Sequence, residues 1–232
     1  MMPNQTRIRP CMAGLILLSL CPTTWRASSG AEPVMPPIIE NSSAGPVLKP
    51  EASATIWQDA VGEGFLSTVQ TLSVEAGVDM GVKIFGGKQT HDLALTSLSY
   101  GHMLGPVLGE GHWYHGNLEL RVELFGGGQF SPEKEWLIGL TPHLRYNFAT
   151  GTDLIPFFDA GAGVTATGIG PPDLSGTFEF NLQPGVGLHW FLSDHLALTT
   201  ELKYLHISCG GIHSPNLGAN GFLAMMGLTW FI

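Results

Sequence analysis

The feature that most constrains the fold of this chain is a strict alternation of apolar and polar residues. In the stretch 71–84, every even position from Leu72 to Ile84 is apolar, whereas the odd positions carry Thr, Ser, Gly or charged residues. Alternate side chains of an extended strand share one face, so such a stretch predicts a strand with one dry and one wet face. Eight strands are predicted, over residues 71–84, 92–103, 117–124, 136–148, 158–167, 177–190, 196–208 and 222–232.

The composition of the two faces indicates what surrounds the strands. Charged residues make up 12% of the 232 residues, against about 25% in soluble domains. A sandwich in water would also alternate, but its wet face should be rich in Lys and Glu, and here that face carries mainly Gly, Thr and Asn. After the first few dozen positions no apolar run reaches about 18 residues, which excludes transmembrane helices. The sequence therefore predicts an all-β fold, an eight-stranded antiparallel transmembrane β-barrel that is apolar outside and polar inside.

The barrel must be closed, because an open sheet edge in lipid would leave backbone groups unpaired. Eight strands leave an interior that side chains just fill, so we expect no pore. The links 147–153 and 192–195 are short, as periplasmic turns are, although the link 104–116 on the same side is long. The charged residues of the wet face should fill the lumen: Glu75, Asp79, Lys83, Glu119, Arg121, Glu123, Arg145, Asp159, Glu179, Glu201 and Lys203.

The N-terminus has the three-part order of a secretory signal peptide. Arg7 and Arg9 precede an apolar core over residues 11–21, and small residues follow. We expect cleavage near residue 30, so that residues 1–30 are the signal peptide. A lipoprotein with Cys21 as the lipidated residue and a retained anchor helix are the weaker alternatives, the second because the core is short for a membrane span.

The rest of the chain divides into two parts. Residues 31–66 hold several prolines among small and polar residues and are predicted to be a flexible periplasmic segment, followed by the barrel over residues 67–232. Cleavage of the leader would leave Cys209 as the last cysteine, so no internal disulfide is expected. The net charge of −9, without a basic cluster, makes nucleic acid an unsuitable partner. The oligomeric state is open, with a homodimer as one option.

The seventh strand ends in a candidate catalytic pair. Its even face, apolar from Leu196 onward, finishes with His206 and Ser208, and Asn220 falls on the same outward face of the eighth strand. Polar groups that face lipid are costly and need an explanation. A serine hydrolase supplies one: Ser208 attacks an ester carbonyl, His206 takes its proton, and Asn220 orients the imidazole. The competing interpretation is a set of interfacial polar residues at a strand end.

The turn after Ser208 offers donors for an oxyanion. The backbone N–H groups of Cys209, Gly210 and Gly211 can approach a ligand closely, because glycine imposes little steric limit. Cys209 is a poor alternative nucleophile, since its parity directs it inward. His115 and His213 have no partner at ligand spacing, so no metal and no cofactor are expected.

The segment 206–220, HISCGGIHSPNLGAN, resembles the lipid A 3-O-deacylase (PagL) family. That family's pattern is His-x-Ser-Asn-x-Gly, then Pro-Asn, a Gly, and a carboxylate or amide. The likeness extends over residues 136–232 and includes the strand 155–164. It implies an outer-membrane barrel that removes the 3-position acyl chain of lipid A in lipopolysaccharide, and it adds Asn216 to the orienting or oxyanion-binding residues. The matching positions are His206, Ser208, Gly211, Pro215, Asn216 and Gly218.

Two positions depart from the family pattern. Cys209 stands where the family has Asn, and Asn220 stands where its best-known pattern has a Glu. An amide can orient His206 but cannot stabilise the imidazolium by charge, and in serine proteases exchanging the triad acid for its amide lowers turnover about 10⁴-fold. The alternative function is therefore a non-catalytic small barrel, structural or adhesive, that binds through the links 126–134 and 169–176.

Overall fold

The structure, a computed structural model, describes residues 55–232. Each strand pairs antiparallel with its neighbours in the chain, and the first strand pairs with the last, so the sheet is a closed barrel. The predicted fold class is thus confirmed, whereas the predicted signal peptide lies outside the described residues. Within those residues no helix is long and apolar enough to cross a membrane. The strands are β1 Gln70–Gly81, β2 Asp92–Met103, β3 Gly116–Ser131, β4 Glu135–Phe148, β5 Leu154–Thr167, β6 Phe178–Ser193, β7 Leu196–Ser208 and β8 Ala219–Phe231.

The two faces of the barrel wall follow the alternation in the sequence. On β3, Leu120 is 47% exposed on the outer surface, whereas its neighbour Arg121 is fully buried in the lumen. The same alternation of exposed and buried residues runs through the other strands. A surface that is apolar around the whole barrel is what a hydrocarbon environment requires.

The lumen contains a network of ion pairs. The guanidinium of Arg121 lies 3.1 Å from Glu123, 3.3 Å from Asp159 and 3.5 Å from Glu201. The ammonium of Lys203 lies 2.9 Å from Glu123 and 3.1 Å from Glu201. These five buried charges are thus paired, as charges in a low-dielectric interior must be, whereas the buried carboxylate of Glu75 has no hydrogen-bond partner among the described residues.

Several strand boundaries differ from the predicted ones by a few residues, and two of the differences move residues between a strand and a link. β1 ends at Gly81, so Lys83, predicted to point into the lumen, is exposed in the link that follows; the other charged residues assigned to the lumen are buried. β3 continues to Ser131, although a loop was predicted from residue 126. The alternation of apolar and polar residues cannot be seen there because residues 126–128 are all glycine. At Gly127 a side chain has no room, since a Cβ would collide with the Ala94 carbonyl of β2.

Residues 55–69, which we call the end plug, close the end of the barrel where the chain enters. The Trp57 and Phe65 rings stack at 4.9 Å, and Phe65 also stacks on Phe231 at 5.0 Å. The Asn117 amide accepts the N–H of Phe65 at 2.7 Å and donates to its carbonyl at 2.9 Å. The end of the predicted flexible segment is therefore packed against the barrel, and its earlier part lies outside the described residues.

Candidate active site

The candidate site lies on the outer surface of the barrel, where β7 ends beside β8. His206 pairs directly with Asn220 across the two strands. Ser208 follows two residues after His206, so the strand period places both side chains on the outward face. The site is at the opposite end of the barrel from the end plug, since β7 begins near Trp230 and the C-terminus.

Three side chains form a continuous hydrogen-bonded relay. His206 Nε2 lies 3.0 Å from Ser208 Oγ, and His206 Nδ1 lies 2.7 Å from Asn220 Oδ1. Because Asn220 Oδ1 can only accept, Nδ1 carries the proton and Nε2 has a free lone pair facing the hydroxyl. The sequence predicted that these side chains would converge, and they do; their catalytic roles stay a prediction.

A fourth polar side chain joins the relay. The Tyr204 hydroxyl donates to Asn220 Oδ1 at 2.6 Å, and Asn220 Nδ2 donates to the Gly218 carbonyl at 3.2 Å. The amide of Asn220 is 3% exposed and all but one of its donor and acceptor groups are used. Sequence reasoning placed Tyr204 only on the apolar face of the strand. Tyr204 and His206 are both even-numbered residues of β7 and so share its outward face, which was the signal that could have added Tyr204 to the site.

Not all of the residues predicted to bind an oxyanion have a free hydrogen-bond donor. The backbone N–H of Cys209 donates to Asn216 Oδ1 at 3.0 Å, so this N–H is not free for a substrate. The Cys209 thiol is buried and lies 3.4 Å from the N–H of His213, away from the outer surface. Gly210 and Gly211 have positive φ angles of 62° and 85°, which let the chain turn over the end of β7. The Asn216 amide nitrogen and the Gly210 N–H remain as donors, whereas the Gly211 N–H is directed at the Cys209 sulfur.

A groove of about 470 Å³ runs along the relay and opens to the outer surface. Phe85, from the link between β1 and β2, is 77% exposed and meets the His206 ring edge-on at 6.3 Å between centroids. Leu182 of β6 lies opposite His206 in the sheet. Sequence reasoning missed Phe85, because nothing local connects this link with β7. The lining residues are Phe85, Leu182, Tyr204, His206, Ser208, Asn216 and Leu217.

Asp173, in the link between β5 and β6, ties together the loops around the groove. Its carboxylate accepts the backbone N–H groups of Lys88 and Gln89 at 2.7 and 2.9 Å. Its main-chain carbonyl accepts the N–H groups of Leu217 and Gly218 at 3.0 and 3.2 Å. Burial raises the pKa of Asp173, but the hydrogen bonds from Lys88 and Gln89 outweigh it and hold that pKa below its usual value. This carboxylate is thus an ionised anchor for the loops.

Fold and surface together define a class. A closed, eight-stranded barrel with an apolar exterior and a polar lumen is a bacterial outer-membrane β-barrel protein. The family model of lipid A 3-O-deacylase (PagL) matches residues 73–229, and the chain belongs to this family. The family and the outer-membrane location predicted from the sequence are confirmed.

Solved structures agree at the level of the fold. The crystal structure of the outer membrane enzyme PagL is 18% identical, with a TM-score of 0.50, over 68% of this chain and 97% of that chain. Neisserial surface protein A (NspA) is 14% identical, with a TM-score of 0.51, over 69% of this chain and 96% of that chain. No curated protein matches the chain. Among residues 55–232 no cluster of His, Cys, Asp and Glu is suited to a metal ion.

Proposed function

We propose that this protein is a serine esterase that removes the 3-O-linked acyl chain of lipid A at the outer-leaflet face of the barrel. Membership of the lipid A 3-O-deacylase family supports the substrate and the reaction. The observation that carries the proposal is the relay of Ser208, His206 and Asn220, with contacts of 3.0 and 2.7 Å. Nucleophile, base and orienting residue follow one another in the order that such chemistry requires.

The reaction proceeds in two halves. Ser208 Oγ attacks the ester carbonyl while His206 Nε2 takes its proton, and the tetrahedral intermediate expels the sugar oxygen, which receives that proton from His206. The acyl chain is then bound to Ser208, and a water molecule activated by His206 releases it as a fatty acid. The Asn216 amide nitrogen and the N–H group of Gly210 are the donors available for the oxyanion.

The surroundings of the relay suit a lipid substrate. The groove opens on the lipid-facing surface, and Phe85 and Leu182 offer apolar contacts for an acyl chain. Two of the three links at the other end are short, over residues 149–153 and 194–195, as periplasmic turns are, although the link 104–115 is long. This orientation directs the relay to the outer leaflet, where lipid A resides.

The test is a comparison of lipid A after exposure to wild-type protein and to Ser208→Ala. Purified outer membranes are incubated with each, and the lipid A is weighed by mass spectrometry. Wild-type protein should remove one acyl chain and Ser208→Ala none, while Ser193→Ala, an exposed serine at the other end of the barrel, should behave as wild type. Equal acyl loss with both proteins, or none with either, would overturn the proposal.

A non-catalytic barrel is the second candidate, and the amide at Asn220 is the observation that favours it. Its binding surface was predicted to include the link 126–134, but that link is shorter than predicted because residues 126–131 belong to β3. This alternative expects unchanged lipid A in every arm of the mass-spectrometric test.

A further inference from the structure

The side chain of Asn220 can face His206 in a wrong orientation, whereas a carboxylate at this position could not. Both oxygens of a carboxylate accept hydrogen bonds, so either can face the imidazole, whereas an amide has one acceptor end and one donor end. If Asn220 turned by half a rotation, Nδ2 would donate to His206 Nδ1 and leave the proton on Nε2. That tautomer cannot accept the proton of Ser208, and it accounts for the loss of about 10⁴-fold in serine proteases with an amide in place of the acid.

We propose that Tyr204 is a positioning residue that holds the Asn220 amide in the productive orientation; this inference rests on the proposed esterase function. The Tyr204 hydroxyl donates to Oδ1 at 2.6 Å, beside the 2.7 Å contact from His206 Nδ1. On the other side, Nδ2 donates to the Gly218 carbonyl at 3.2 Å. A carbonyl can only accept, so the amide nitrogen must face it.

The pairing of β7 with β8 brings these groups together. Tyr204 precedes His206 by one period of the strand and lies diagonal to Asn220, within reach of a long side chain. Gly218 has a φ of 80°, and a Cβ there would come within 2.8 Å of the His206 ring. Asn220 is 3% exposed, so water has little access to Oδ1 if the Tyr204 hydroxyl is lost. Tyr204 and Gly218 thus fix the orientation of the Asn220 amide, so that Oδ1 faces His206. A carboxylate at this position would need no such constraint, because either of its oxygens can accept.

A double-mutant cycle tests the inference, with Tyr204→Phe made in the wild type and in the Asn220→Asp background. In the wild type, loss of one hydrogen bond to the buried amide should lower kcat about tenfold with little change in KM. In the Asn220→Asp background, the same change should cost no more than about twofold, because either carboxylate oxygen accepts from His206. Tyr100→Phe, which removes the hydroxyl donating to Gln70 on the outer wall, is the matched control.

Nitrogen NMR of histidine-labelled protein in micelles gives a second readout that does not need substrate. The His206 signals, assigned with His206→Gln and recorded for the neutral imidazole, should show the proton on Nδ1 in the wild type and a tautomer mixture in Tyr204→Phe. An unchanged tautomer, or equal loss of kcat in both backgrounds, would overturn the role of Tyr204 and leave the esterase proposal standing. Equal activity of wild type and Ser208→Ala would instead overturn the esterase proposal.

Discussion

The lumen and the groove are both polar regions removed from water, and they are built in opposite ways. The lumen is held by full charges, in which Arg121 alone faces Glu123, Asp159 and Glu201. The groove holds only neutral groups, joined in a directed chain of hydrogen bonds. A charge facing lipid is far costlier than a paired charge inside the protein. In this chain, each region therefore uses the kind of polar group that is less costly at its position relative to the barrel wall.

This difference explains how the two regions fail. Charges attract from several directions, so the lumen tolerates displacement of one partner but not its removal. A neutral relay depends on which end of each group donates, so it is sensitive to orientation. The three predictions below separate the two modes, from the largest expected effect to the smallest.

Removing the central cation should destabilise the barrel while leaving the site intact. In Arg121→Leu, the facing carboxylates lose their partner, and the free energy of unfolding should fall by about 3–5 kcal/mol. Urea unfolding in detergent, followed by tryptophan fluorescence, measures this, and acyl release per folded molecule should equal that of wild type. Leu120→Met, on the outer face of the same strand, is the control. An unchanged unfolding midpoint in Arg121→Leu would contradict the importance of lumenal pairing.

Neutralising the loop anchor should loosen the groove but not the barrel. Asp173→Asn weakens charged hydrogen bonds that contribute about 1–3 kcal/mol, so hydrogen exchange should accelerate in the links around the groove and acyl release should fall. Burial raises the pKa of Asp173, but the Lys88 and Gln89 N–H groups hold it below its usual value. Its contribution is therefore complete above about pH 4 and is lost as the pH falls through the lowered pKa.

The control for the anchor is Asp153→Asn, an exposed aspartate in a link at the other end. If hydrogen exchange in the groove links is the same in Asp173→Asn and Asp153→Asn, the loops are held by other contacts.

Truncating the exposed aromatic beside the relay should give the smallest effect. Phe85→Ala removes an apolar contact for the acyl chain, and KM should rise about 3- to 10-fold, with kcat and stability unchanged. Initial rates on a synthetic acyl ester in micelles measure the split between kcat and KM. Phe130→Ala, an exposed phenylalanine on β3, is the comparison. A fall in kcat alone would assign Phe85 to the chemistry instead of to binding.

The strands and the convergence on the outer face were predictable because alternation is local. On β7 it persists to Ser208, so the parity of His206 and Ser208 could be read directly. In the last part of β3 several residues are glycines without a side chain, so the alternation is lost there and the predicted strand ended too early. The end plug was missed because its apolar residues follow no strand period.

Contacts between distant links could not be predicted. Asp173 anchors Lys88 and Gln89 from more than eighty positions away, and no periodicity relates the two links. The role of Tyr204 required the register between β7 and β8 to place its hydroxyl against the Asn220 amide. Parity indicates which face a residue occupies, but only the register determines its neighbour.

The end plug has a consequence for the order of assembly. Phe65 stacks on Phe231, and Gln70 and Ile232 exchange main-chain hydrogen bonds at 2.8 Å. The surface that receives the plug is therefore complete only when the last strand has joined the first. Full seating of the plug requires a closed barrel, and burial of Trp57 would serve as an internal reporter of that closure.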